Sequence, residues 1–164
     1  MKKITPLFAL AAFCAFSFQT VFAQVTATQT VTLAVSSIQK ISVSGNPAPL
    51  IIGTGVAGTE GLTSVTDATT TYSETHNNAL PMKITAGIDV ALAAGYTLQI
   101  NLASTKGTSS GVVDISNATT AVSVVTAIAK GSDNAKAITY TFSATATAGV
   151  LISGTKTVTL TITT

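Results

Sequence analysis

The chain of 164 residues has no arginine and no tryptophan, one cysteine, one histidine and few charged side chains. Each shortage excludes something. Binding nucleic acid takes several Lys or Arg contacts to phosphates, and the basic residues here are few and scattered. Nor is there a polybasic cluster for an anionic lipid surface. One cysteine, Cys14, cannot form an intrachain disulfide, so the fold must stand on its core alone. One histidine, His76, leaves little for acid–base or nucleophilic chemistry. Aromatic residues are scarce as well. Five of the six phenylalanines lie before residue 23, which leaves Tyr72, Tyr96, Tyr140 and Phe142. That is too few for the aromatic girdles of an outer-membrane barrel.

What is present begins with an export signal. Lys2 and Lys3 open the chain, an apolar stretch runs from Ile4 to Phe18, and Val21-Phe22-Ala23 ends it as a cleavage site. Residues 1–23 are therefore expected to be a signal peptide, with Gln24 as the new N-terminus. The protein is expected to be secreted, extracellular or on the cell surface, with the periplasm as a further destination. Cys14 follows Phe13 inside the apolar run, which is not the context of a lipidation site. The net charge of +2 belongs to the leader, because six lysines meet six acidic residues beyond it. No later segment is long and apolar enough for a transmembrane helix.

Beyond the leader the chain is crowded with Thr, Val, Ile, Ala and Gly, residues of strands and turns. Apolar and polar residues alternate over Tyr96–Ala103, Ile138–Thr145, Thr157–Thr163 and Met82–Ala86. Weaker strand signals cover Ile38–Val43, Leu50–Ile52, Thr69–Thr75, Val112–Ile115 and Val122–Ile128. Gly45-Asn46-Pro47, Thr105-Lys106-Gly107, Gly131-Ser132-Asp133-Asn134 and Ser153-Gly154 read as turns. No window has a helical period. The pattern predicts an all-β chain, a single immunoglobulin-like antiparallel β-sandwich over residues 38–164. Residues 24–37 precede it as an N-terminal strand.

Two motif matches lack the context their chemistry needs. Gly53-Thr54-Gly55-Val56-Ala57-Gly58 fits G-x-G-x-x-G, but a dinucleotide site needs a helix directly after it, and Thr59–Ser64 is polar and interrupted by Gly61. Gly107-Thr108-Ser109-Ser110-Gly111 fits G-x-S-x-G, but a strand-like Val112–Ile115 follows it and His76 lies upstream. No catalytic residue, cofactor site or metal site is assigned, and the chain is not expected to be an enzyme. Glu74 and His76 stand two apart, on one face of a strand, close to Tyr72. These three are the candidate ligand contacts, for instance to a glycan, with His76 expected in a solvated loop. The T-x-T rows at Thr26, Thr139 and Thr157 leave an ice- or surface-binding role as another alternative.

The segment with the strongest claim to function is Val25–Val35. Val25, Ala27, Val31, Leu33 and Val35 fall on one face, with Gln29 interrupting, and Thr26, Thr28, Thr30 and Thr32 on the other. An extended segment at a free N-terminus can complete its own sheet or a neighbour's. The order of a leader, this segment, Ile38–Val43 and a Thr-rich sandwich ending in Thr157–Thr163 resembles the fimbrial or pilus subunits of bacterial surface fibres. The resemblance implies a non-enzymatic structural subunit with an assembly or adhesion role. It also implies strand pairing with copies of itself or with other cell-surface proteins, and a partner that handles the unpolymerised form. A carbohydrate-binding or adhesive module is the competing expectation.

Overall fold

The computed structural model describes residues 25–152 and 154–164. The expected signal peptide lies outside the described residues. Residues 1–34 and 35–164 are two separate units. In the first, residues 25–34 carry no regular secondary structure and every side chain is exposed, Val25 at 98% and Leu33 at 86%. The strand expected over Val25–Val35 is thus absent. Alternation alone does not make a strand; its N–H and C=O groups must pair with a neighbour, and no strand pairing is recorded there among the described residues.

The second unit is an all-β, antiparallel two-layer sandwich. Its strands are β1 (Gln39–Val43), β2 (Val65–His76), β3 (Met82–Ile88), β4 (Tyr96–Leu102), β5 (Thr108–Ser109), β6 (Val113–Asp114), β7 (Val122–Ile128), β8 (Gly131–Ala144) and β9 (Val158–Thr163), with one 3-10 turn at Ala146–Ala148. One sheet has the order β1-β2-β8-β4-β6 and the other β5-β7-β3-β9. The inward row of each strand fills the space between them. Met82, Ile84, Ala86, Ile88, Ile100, Leu102, Ile115, Val124, Val125, Ile128 and Ile138 are all less than 5% exposed. A buried side chain of that kind contributes roughly 1.5–3 kcal/mol, which is how the sandwich holds without a cross-link.

Three sequence readings are corrected here. Leu50–Ile52 forms no strand; Leu50 packs against the core while Ile51 is 73% exposed. Gly131–Asn134 is no turn but the first part of β8, paired with β2 through His76↔Gly131 and Glu74↔Asp133. Strand β2 is also longer than Thr69–Thr75, because a register shift between Asp67 and Thr70 hides its continuity. That shift inserts one extra residue, so Asp67 and then Thr70, Tyr72, Glu74 and His76 all face inward. Strand β8 has a matching slip. Asp133 and Ile138 are both buried although an odd number of positions separates them, and Ala135 between them takes φ 51°.

The flanks of the sandwich differ. On one side the sheets end in β5 and β6, two residues each, and each pairing runs one residue further, through Ile115 N–H to Leu98 O (2.9 Å) and Ser110 N–H to Val124 O (2.9 Å). On the other side they end in β1 and β9, which approach each other across the gap between sheets. Among the described residues, neither has a strand on its outer side.

Candidate functional site

Two features stand out: a polar chamber inside one end of the sandwich, and the bare flank formed by β1 and β9. The chamber lies where β2 ends, β8 begins and β1 begins. Tyr72, Glu74 and His76 point inward from β2, and Asp133 points inward from β8 beside Glu74. All four are at most 3% exposed. The sequence placed Glu74 and His76 on one face correctly, but His76 is no solvated loop residue. It closes β2, is 1% exposed, and is sealed by the strands on either side through Gln39↔His76 and His76↔Gly131.

Asp133 organises one wall. Its Oδ2 accepts from Ser104 Oγ (3.0 Å), Thr105 N (2.7 Å) and Lys106 N (3.0 Å), its Oδ1 accepts from Thr105 Oγ1, and Lys136 Nζ stands 3.6 Å away. Burial pushes this carboxyl up, but the bonds from Thr105, Lys106 and Ser104 outweigh it and hold it down at about 2. Ser104 Oγ in turn accepts from Gly107 N (2.9 Å), so the loop from 104 to 107 wraps the carboxylate. The Tyr72 hydroxyl donates to Ala103 O at 2.7 Å, and burial raises its pKa to about 12.

Glu74 and His76 are different. Both oxygens of Glu74 and both ring nitrogens of His76 are buried with no hydrogen-bond partner among the described residues. Burial raises the pKa of Glu74, and the nearby Asp133 charge adds to it, against the opposing pull of His76 and Lys106. A buried polar group without a partner costs about 1–3 kcal/mol, so two of them side by side are an unusual thing to keep. Among the described residues, no group of three or more His, Cys, Asp or Glu converges to hold a metal ion.

Tyr72, expected as a ligand contact, is 1% exposed and offers no ring face to a sugar. Tyr140 is buried, and Tyr96 stacks on Phe142 with ring centroids 6.2 Å apart. A shallow depression across β1, β2 and β8 is lined by Lys40, Ser42, Ser73, Thr75, Ser132 and Asn134 together with Ile41, Glu74 and Asp133, and no aromatic residue lines it. The first motif match lies in a loop between strands, and the second spans the short strand β5 and the residues flanking it. Gly55 makes one bridge to Leu62, and Ser109 lies in β5 with its hydroxyl 3.2 Å from Asn101 Oδ1. No helix follows either one.

The bare flank was only half legible. Alternation identified β9 to within one residue, its expected start being Thr157, but not that it would lie at an edge. The bond from Asp89 N to Thr157 O (3.0 Å) and the Lys83↔Thr163 register direct the N–H and C=O groups of Val158, Leu160 and Ile162 away from β3. The side chains of those three residues, and of Ile41 on β1, are half-buried against the core. Among the described residues, no helix is long and apolar enough to cross a membrane. No family model, curated protein or solved structure matches the chain.

Proposed function

We propose that this chain is a secreted, non-enzymatic structural protein of a bacterial cell surface, a subunit that joins its neighbours by strand pairing. The observation that carries the reading is the pairing of a shortage with a surplus. Strand β9 has a free row of backbone groups above a half-buried apolar row, and β1 beside it has a free row above one half-buried residue, Ile41. Residues 25–35 are exposed, unpaired, and alternate apolar with polar. A free edge with those properties is a template for another chain. The six residues of β9 span roughly 20 Å, which the eleven residues from Val25 to Val35 can match in extended form. In this reading Val25, Ala27, Val31, Leu33 and Val35 supply the apolar face of the added strand. The fibre-subunit resemblance and the signal-like leader support export and a structural role.

The test is the state of the purified chain that starts at Gln24. A ladder of oligomers that survives SDS without heating is expected. A chain that starts at Ser36 is expected to run as a monomer, yet to cap oligomers of the longer chain when the two are mixed. A strictly monomeric longer chain overturns the reading.

A further inference from the structure

We infer that copies of this chain meet end to end, with the apolar link before β9 of one copy seated against the Asn77–Pro81 loop of the next. This contact presupposes the strand pairing proposed above and gives it a direction and a register. The chain enters the sandwich at the end where β2 closes. There Asn77 Nδ2 donates to Ser36 O (2.8 Å), Ile38 N donates to Asn77 Oδ1 (2.7 Å), and Ser37 Oγ donates to Asn78 Oδ1 (2.6 Å). Residues 77–81 join that end of β2 to the start of β3. Strand β9 runs toward this same entry end, because Lys83 pairs with Thr163 and Ile88, at the far end, with Val158. A strand that ends at Ser36 can therefore lie beside the β9 of its own copy only in parallel. Beside the β9 of another copy it can lie antiparallel, as β3 does on the other side, and antiparallel pairing is the stronger per residue.

The apolar rows set the register. Strand β9 offers Val158, Leu160 and Ile162 in step. The segment has one uninterrupted row of three, Val31, Leu33 and Val35, and Gln29 breaks the row before them. Matched antiparallel, Val35 stands opposite Val158, Leu33 opposite Leu160 and Val31 opposite Ile162, each pair sharing a face. From Val35 to Ile38 is three steps of chain, which reach at most about 11 Å. The entry end of the lending copy is thus brought up to the far end of the receiving copy. What those two ends expose fits a contact. At the far end Val90 follows Asp89, whose N–H bonds to Thr157 O, and Val90 is 58% exposed. Val150 and Ile152, in the link from β8 to β9, are 90% and 88% exposed. At the entry end Leu80 is 68% exposed and Ile38 42%. The charges are complementary as well. Lys106 and Lys130 are exposed at the entry end, where Glu74 and Asp133 are buried; Glu60, bonded to Thr147, and Asp89 are exposed at the far end, with Lys156. A contact there covers apolar side chains that a lone copy leaves in water.

The chain from Gln24 contains no cysteine, so introduced thiols report contacts without background. The test oxidises assembled mixtures of single-cysteine chains and reads the covalent dimer after heating in SDS. Leu80 and Val150 are exposed, so a thiol at either leaves the core intact. Leu80→Cys mixed with Val150→Cys is expected to link about ten-fold more than either variant alone, because the joint holds the two thiols at high effective concentration. Val158→Cys is expected to link to Val35→Cys and not to Gln29→Cys, which stands opposite it if the earlier half of the segment is the half that pairs. A ladder that forms while Leu80→Cys and Val150→Cys link no better mixed than alone overturns the end contact and leaves strand pairing standing. So does a link from Val158→Cys to Gln29→Cys in place of Val35→Cys. The absence of any ladder overturns both.

Discussion

Replacing Asp133 with Asn would keep the shape of the side chain and remove the charge that gathers Ser104, Thr105 and Lys106. The folded carboxyl lies at about 2, below its usual 3.8, so the stability it contributes is complete above about pH 4 and is lost as pH falls through 2. The shift corresponds to about 2 kcal/mol at neutral pH. Urea unfolding of Asp133→Asn is expected to show a loss of that size at pH 7, shrinking steadily between pH 4 and pH 2. A gap that stays constant down to pH 2 would assign the loss to packing instead. None of this was legible in the sequence. Asp133 stands in Gly131-Ser132-Asp133-Asn134, four residues that each favour turns. Its partners are backbone donors some 28 positions earlier, which no local pattern reveals. His76 misled for a related reason: its neighbours Asn77 and Asn78 read as loop, and they are loop, but the strand runs up to the histidine itself.

At the scale of the element, legibility followed regularity. Strands β4 and β9 came within one residue of the expected spans because one residue in two faces the core without a break, and β7 matched its span although consecutive Val124 and Val125 are both buried. Strands β2 and β8 broke the count, since each slips by one residue and the period of two fails across the slip. The slips have a local cost. Ala135 in β8 and Ala127 in β7 take φ of 51° and 52°, a left-handed conformation that disfavours any residue with a Cβ by roughly 1–2 kcal/mol. Glycine has no such penalty, although it gains freedom in the unfolded chain. Ala135→Gly and Ala127→Gly are thus expected to be neutral or to stabilise by up to about 1 kcal/mol in thermal unfolding. Ala137→Gly, at a regular position of β8, is expected to destabilise by roughly 0.5–1 kcal/mol. Equal losses at all three positions would show that the slips carry no strain.

At the scale of the whole molecule, the all-β antiparallel class was readable from composition and alternation, while strand order was not. Order depends on which edges meet, and the sequence carries no pattern that sets β8 between β2 and β4. Every core residue belongs to the unit from Val35 onward, and the single cysteine lies far before it. A chain beginning at Val35 is therefore expected to unfold in one cooperative transition whose midpoint is the same with and without a reductant. Calorimetry tests both points together, and a transition broader than two-state behaviour allows would deny that the sandwich is self-sufficient.

The unequal flanks have a geometrical consequence. Two strands of two residues each end the sheets on one side, while on the other β1 and β9 have no strand outside them among the described residues. Under the proposed assembly each copy lends one N-terminal segment and receives one at this flank, so growth would run in single file, as an unbranched thread.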